Sequence, residues 1–294
     1  MNAPTVDAPT WNPEFARRSP MLRPLRELGD KLPRIGWPNA EVLNYLAGDT
    51  GRRIVNARGQ RIFFAPPRGG TGFEQRTFES GEVEMRFINW HDVLNALVWM
   101  TYPTAKAALN GRHVQAMEQE APGTRSPQRD ALTHFDEDGL VVLSSDPALS
   151  ALVRGFEWKE LFWKRRAAVQ AQVRFFLFGH ALFEKALDPF VGMTGKAVIF
   201  DVAPAVLERP VEALRAETDR LVALHLWNPA NLLRPRELSP LPVLGVPGWW
   251  EGNEDEAFYD NTDYFRSGRR GEGAAREEEP PATKDAEDIK GEPR

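Results

Sequence analysis

The apolar positions of this chain recur mainly at helical spacing, and a few short apolar runs are typical of buried strands. The run from Val93 to Met100 is apolar on nearly all sides and follows the polar residue Asn89, which predicts a buried helix with Asn89 as its N-cap. Proline near the start or glycine near the end marks several of the other predicted helices. These helices cover residues 38–48, 73–80, 103–110, 146–162, 180–187 and 204–226.

A small mixed sheet is predicted from the remaining apolar runs. Two short runs flank an acidic turn that ends in Gly139, which predicts a hairpin near 129–143. The runs 173–178 and 196–202 favour two strands, and the long crossover between them permits a parallel pair. Residues 164–178 could instead continue the preceding helix. The predicted fold class is therefore α+β, mainly helical and with a small mixed sheet.

Shifts in composition divide the chain into three parts. Residues 1–18 are rich in proline and are predicted to form a loose N-terminal segment. Residues 19–266 form a single predicted globular domain, which includes a second hairpin over 52–65 and a proline-rich coil over 228–250. Residues 267–294 are dominated by charged side chains and contain no aromatic residue. They predict a disordered acidic tail, because they bury too little apolar area to offset the entropy of ordering.

Composition excludes several classes of protein. The chain has no cysteine, so disulfides, thiolate metal ligands and cysteine nucleophiles are excluded. Its net charge of −5 argues against a broad basic surface for nucleic acid. No stretch approaches the roughly 20 apolar residues that cross a bilayer, and the N-terminus does not have the pattern of a secretory signal. We therefore expect a soluble, cytoplasmic protein that binds neither nucleic acid nor a membrane.

Candidate chemistry is concentrated at two predicted helix starts. His91 and His180 each lie where the positive end of a helix keeps an imidazole neutral. Asp92 and Asn95 share the first of these helices with His91, so three polar groups cluster on an otherwise apolar element. These groups could simply cap the helix and bind backbone carbonyls. Alternatively, a ligand satisfies them, since leaving them buried and unpaired would cost about 1–3 kcal/mol each.

The histidines and nearby carboxylates suggest a metal site that only the fold could assemble. His91, Asp92, Asp130 and His180 are the candidate catalytic residues, with Asn95 and Arg129 as supporting ligand-binding residues. Histidine and carboxylate together suit zinc, manganese or iron. No H-E-x-x-H spacing, phosphate-binding loop or G-x-S-x-G elbow is present. The first hypothesis is a metal-assisted hydrolase, which requires His91 and His180 to lie within about 6 Å of each other.

The second hypothesis depends on adjacent tryptophans in the C-terminal part of the chain. Trp249 and Trp250 follow a Pro-Gly turn and could line a groove for a peptide or small ligand. The protein would then be a non-catalytic binding or interaction protein. The structural alternative is that both tryptophans only cover the core.

The chain contains several distinctive short segments, which include Asn89–Asp92, Asn95–Trp99, Arg129–Thr133, Phe178–Leu182 and Pro242–Gly245. Together these segments resemble a proteobacterial family that is catalogued as domain of unknown function 3025. The resemblance extends from about Pro24 to Arg266 and implies no reaction, cofactor or partner, so it transfers no functional residue. Some members of that family are labelled membrane proteins, whereas this sequence has no spanning segment.

Overall fold

The computed structural model describes residues 9–69 and 72–268. Its α-helices are α1 (Arg26–Gly29), α2 (Ala40–Asp49), α3 (Phe73–Ser80), α4 (Trp90–Thr101), α5 (Pro103–Glu118), α6 (Pro127–Asp138), α7 (Pro147–Arg154), α8 (Arg166–Gln172), α9 (His180–Lys185), α10 (Pro204–Leu207) and α11 (Val211–Trp227). Its strands are β1 (Phe63–Ala65), β2 (Glu82–Glu84), β3 (Gly139–Ser144), β4 (Val173–Leu177), β5 (Thr194–Asp201) and β6 (Ser239–Pro242). The fold is α+β and mainly helical, as predicted.

The larger sheet has four strands in the order β4-β3-β5-β6. Strand β3 lies inside it, and all six of its residues are buried. It runs antiparallel to β4 and parallel to β5, while β6 pairs antiparallel with β5. The second sheet is a short parallel pair of β1 and β2. The sheet is therefore mixed, as the sequence predicted.

Capping side chains mark three of the helix starts, and the helix predicted from residue 38 begins two residues later, at Ala40. Asn39, Asn89 and Asp146 each accept a hydrogen bond from a backbone N–H in the first turn of the following helix. Every residue of α4 from Val93 to Thr101 is buried, in agreement with its apolar pattern. Helix α5 packs against both α4 and α11. None of the described helices is both long and apolar enough to cross a membrane.

The predicted hairpin near 129–143 is wrong. Residues Pro127–Asp138 form helix α6, with Ser126 as its N-cap and proline at its first turn. Its apolar residues Ala131, Leu132 and Phe135 share one helical face, which outweighs the turn signal of the acidic residues. Gly139 begins strand β3 directly. It allows a close approach there, since a Cβ on Gly139 would lie 2.2 Å from the Phe135 carbonyl oxygen.

The predicted parallel pair is also wrong, although both of its strands exist. Strand β3 lies between β4 and β5, so these two strands do not pair and run antiparallel to each other. Strand β3 takes the central place because its apolar run Leu140–Leu143 can be buried on both faces. The hairpin predicted over 52–65 is reduced to one antiparallel bridge between Val55 and Arg61. The coil predicted over 228–250 contains strand β6.

The ends of the chain differ in how far the structure describes them. Part of the segment 1–18, predicted to be loose, is packed against the core. Phe15 is fully buried, and the Trp11 indole donates a hydrogen bond to the carbonyl of Pro33. Trp11 also stacks on Trp90, with ring centroids 4.8 Å apart. The predicted disordered tail 267–294 lies outside the described residues apart from Ser267 and Gly268.

Candidate metal centre

Three helix ends meet at one point and bring together residues that are remote in the sequence. His91 is the second residue of α4, and His180 is the first residue of α9. Glu137 is the last residue but one of α6. Helix α9 packs against both α4 and α6, which places the three side chains next to one another. The predicted convergence of His91 and His180 is therefore present in the structure.

The three side chains form a tight triangle of possible ligand atoms. The Nε2 atoms of His91 and His180 lie 2.9 Å apart. A carboxylate oxygen of Glu137 lies 3.5 Å from His180 Nε2 and 3.9 Å from His91 Nε2. The point equidistant from all three atoms is about 2.0 Å from each, which is the length of a metal bond to imidazole nitrogen or carboxylate oxygen.

A second carboxylate orients His91. The Nδ1 atom of His91 lies 3.1 Å from Glu184 Oε2, one turn along α9 from His180. A carboxylate only accepts, so this contact places a proton on Nδ1 of His91 and directs Nε2 towards the triangle. The hydrogen bond to Glu184 raises the pKa of His91 above its ordinary value, against the effect of burial. Metal-binding histidines commonly have such a carboxylate on the remote nitrogen.

His180 is deeply buried beside an ion pair. Only 4% of its surface is exposed, and Nδ1 has no hydrogen-bond partner among the described residues. Burial lowers its pKa to about 3, so the ring is neutral near pH 7 and Nε2 can offer a lone pair. Lys106 and Asp136 form a buried pair next to it, with Asp136 Oδ1 3.8 Å from His180 Nδ1. Burial alone would raise the pKa of Asp136, but Lys106 outweighs it and the pKa falls to about 2.

The triangle faces a polar pocket of about 400 Å³. Asn95 lines this pocket, and its Oδ1 is buried without a hydrogen-bond partner in the described part of the chain. Asp92 also lines it, but both of its carboxylate oxygens bind Arg86. The other lining residues include Phe73, Glu74, Glu84, His113, Thr133 and Asp136. A pocket of this size suits a small polar ligand.

The remaining predicted site residues lie elsewhere. Asp130 is bound by Arg125, and Arg129 is bound by Glu120, and neither lines the pocket of His91. Both belong to the first turn of α6, whereas Glu137 lies two turns further along at its other end. A hairpin would have placed Asp130 on a strand beside β3, whereas helix α6 places it at the far end from β3. Trp249 and Trp250 line two other cavities.

Two carboxylates of the site, Glu137 and Glu184, were not among the predicted site residues. Glu137 lies in the acidic stretch that was predicted to be a hairpin turn, and Glu184 lies within the helix predicted over 180–187. The helical spacing of Leu132 and Phe135 is the signal that would have placed Glu137 at a helix end, directly before a buried strand. No signal in the sequence indicates that Glu184 binds His91, which is 93 residues away.

Fold and site together define an α+β protein with a two-histidine, one-carboxylate cluster in a polar pocket. The chain belongs to a family described as protein of unknown function (DUF3025), whose model matches residues 64–269. This range includes the whole cluster, Glu184 and the larger sheet. No curated protein and no solved structure matches the chain significantly.

Proposed function

We propose that the protein is a metal-dependent hydrolase in which His91, Glu137 and His180 bind one divalent ion. The observation that carries the proposal is the point about 2.0 Å from all three ligand atoms. Without an ion, the 2.9 Å contact requires a hydrogen on one of the two Nε2 atoms, and because the Nδ1 proton of His91 faces Glu184, that hydrogen belongs to His180. To bind an ion through Nε2, His180 would instead carry its proton on Nδ1, which lies 3.8 Å from Asp136 Oδ1.

The composition of the cluster favours a catalytic ion over a structural one. Structural zinc sites are closed by four protein ligands, whereas three protein ligands leave a position for water or substrate. A divalent ion lowers the pKa of a bound water and so supplies a nucleophile near pH 7. Glu184 fixes the orientation of His91, and the pocket beside the triangle gives a substrate room to approach. Asn95 Oδ1, which has no hydrogen-bond partner in the described ranges, could bind a donor group of that substrate in the same pocket.

The charges of the pocket also support a cation. Asp92 is neutralised by Arg86, and Asp136 by Lys106. Glu84 has Arg76 at 2.7 Å. Among the described residues, the two imidazoles are the only basic groups within 4.0 Å of the Glu137 carboxylate. A divalent ion would compensate this charge where it is partly withdrawn from water.

Metal analysis of the purified protein tests the metal site. We expect about one equivalent of zinc, manganese or iron per chain, and a lower Tm after chelation, because a bound ligand stabilises the folded state. His91→Ala, His180→Ala and Glu137→Gln should each abolish binding and remove the effect of chelator. His134→Ala and Glu118→Gln alter an exposed histidine and an exposed glutamate outside the pocket and serve as matched controls. If the purified protein contains no metal and its Tm changes with neither added metal nor chelator, the proposed metal site is refuted.

The reaction class needs its own assay. A panel of p-nitrophenyl esters, phosphate esters and anilides should reveal a hydrolysis that chelator stops and metal restores. If the protein binds metal but hydrolyses none of these substrates, the metal site stands and the proposal of a hydrolase is refuted. The proposal also includes a cytoplasmic location, which cell fractionation tests. It includes a small-molecule or peptide substrate, which the same panel tests.

A further inference from the structure

We infer that the outer edge of strand β4 is a peptide-binding site that takes an extended, acidic segment of a partner protein as an added strand. This site is independent of the proposed metal centre. Its groove and the pocket of the triangle have no lining residue in common.

The two edges of the larger sheet are built differently. Strand β6 forms one edge and has prolines at Pro240 and Pro242, which cannot donate to a further strand. Strand β4 forms the other edge and runs Val-Arg-Phe-Phe-Leu without proline. Natural sheets usually block exposed edges with proline, charge or a covering element. The short 3-10 helix Pro20–Leu25 packs against β4, but no backbone hydrogen bond between described residues joins it to the strand. Strand β4 therefore lacks the proline block of β6 and is the edge that can accept a strand.

The register of the sheet shows which backbone groups of β4 point outward. The Phe178 N–H donates to the carbonyl of Gly139, and the Ser145 N–H donates to the carbonyl of Gln172. Gly139–Phe178 and Ser145–Gln172 are therefore hydrogen-bonded pairs of the β3–β4 ladder. Alternation along an antiparallel pair turns the N–H and C=O of Phe175 away from β3. Neither group has a hydrogen-bond partner among the described residues. Phe175 therefore presents one free donor and one free acceptor, as an added strand requires.

A groove of about 420 Å³ lies at this edge. Four successive residues of β4, from Val173 to Phe176, line it. Successive side chains of a strand point to opposite faces, so a cavity that touches all four runs beside the strand rather than over one face. Pro20 and Leu214 contribute to its walls, and Trp249 provides an aromatic surface. The groove thus matches an extended segment of about four residues at roughly 3.3 Å per residue.

The charges of the groove select an acidic occupant. Its charged lining residues are Arg23, Arg174 and Arg209, and no carboxylate lines it. The guanidinium of Arg174 is held in place by the carbonyls of Gln170, Ala171 and Val173. Arg209 has a carboxylate oxygen of Glu217 only at 3.7 Å. Arginine clusters of this kind recognise acidic motifs, and the strand edge adds backbone pairing.

Fluorescence anisotropy with a labelled Glu-Val-Glu-Val-Glu peptide tests the inference on the full chain. We expect saturable binding that salt weakens, and at least about tenfold weaker binding of Lys-Val-Lys-Val-Lys. Two further peptides carry N-methyl groups on alternate amides, either at the valines or at the glutamates. One of the two should lose binding, because only one set of amides can face β4. Equal binding of both methylated peptides would overturn strand addition and leave a purely electrostatic contact.

Charge reversal locates the site. Arg174→Glu and the double variant Arg23→Glu/Arg209→Glu should each weaken binding at least about tenfold, since each removes charge-assisted contacts. Arg236→Glu reverses an exposed charge outside the groove and should leave binding unchanged. Unchanged binding in the groove variants would place the peptide elsewhere and refute the inference. If Glu277→Gln/Glu278→Gln/Glu279→Gln in the full chain raised affinity about tenfold, the chain's own acidic segment would be the occupant in place of a partner.

Discussion

The pocket of the His91 triangle and the groove beside β4 are similar in size but opposite in construction. The pocket has a volume of about 400 Å³ and is made of ionisable side chains from the ends of three helices. The groove has a volume of about 420 Å³ and is made largely of backbone edge and apolar surface, with arginines around it. In the pocket, Asn95 Oδ1 and His180 Nδ1 are buried without hydrogen-bond partners among the described residues, whereas the buried Asn253 amide beside the groove has two.

Asn95 and Asn253 show this difference between the two regions. Asn95 Oδ1 is buried in the pocket without a partner in the described part of the chain. Asn253 is fully buried near the groove, and its amide donates to the carbonyls of Leu244 and Val246. A polar group kept without a partner costs stability, whereas one that binds two carbonyls contributes to it. The pocket therefore has the arrangement expected of a site that binds something, and the segment after β6 that of a structural support.

The largest expected effect on stability is at the buried pair of Lys106 and Asp136, of which Asp136 lines the pocket. Asp136→Ala leaves the ammonium of Lys106 buried without a counter-charge and should lower the free energy of unfolding by about 3–5 kcal/mol. Urea denaturation measures this loss. Lys106→Met/Asp136→Leu removes both charges and should recover most of the stability. If the double variant is no more stable than Asp136→Ala, charge burial is not the cause.

The next largest effect on stability is expected at Asn253, in the segment after β6. Asn253→Leu deprives the carbonyls of Leu244 and Val246 of their donor and should cost about 3 kcal/mol. The measurement is again urea denaturation, followed by tryptophan fluorescence because Trp249 lies nearby in the chain. A loss below about 0.5 kcal/mol would show that this segment does not depend on its buried amide.

The smallest effect is expected at Asn95, and it is a gain in stability rather than a loss. Asn95→Leu makes the same substitution in the pocket, where it removes a buried oxygen without a partner and favours helix α4 slightly. We expect a gain of about 1 kcal/mol and a higher Tm in calorimetry of the metal-free protein. A destabilised Asn95→Leu would mean that Asn95 is satisfied in solution, and the contrast between the two regions would then fail.

Much of the secondary structure could be predicted, because caps and apolar periodicity act locally. Asn89 and Asp146 start the helices predicted from them. The failure at 129–143 has a specific cause, since an acidic stretch before Gly139 fits both a turn and the end of a helix. Strand order failed for another reason: β4 and β5 have no local feature that shows β3 inserted between them.

The candidate site was predicted only in part, for a similar reason. His91 and His180 could be selected because a polar ring at the start of an apolar helix is conspicuous in the sequence. Glu137 and Glu184 could not, because many exposed helices carry glutamates and only the packing of α4, α6 and α9 brings these two to the histidines. Asp130 looked equally suitable and lies two turns away along α6.

The sequence by itself determined where most helices begin, which segments are buried, and that cysteine chemistry is excluded, since each depends on residues within a few positions of one another. Tertiary structure decided the order of the strands, the partner of each imidazole, and which strands lie at the edges of the sheet. These depend on contacts between residues as far apart as His91 and Glu184, and the free energy of such contacts is set by packing and burial that no short segment contains.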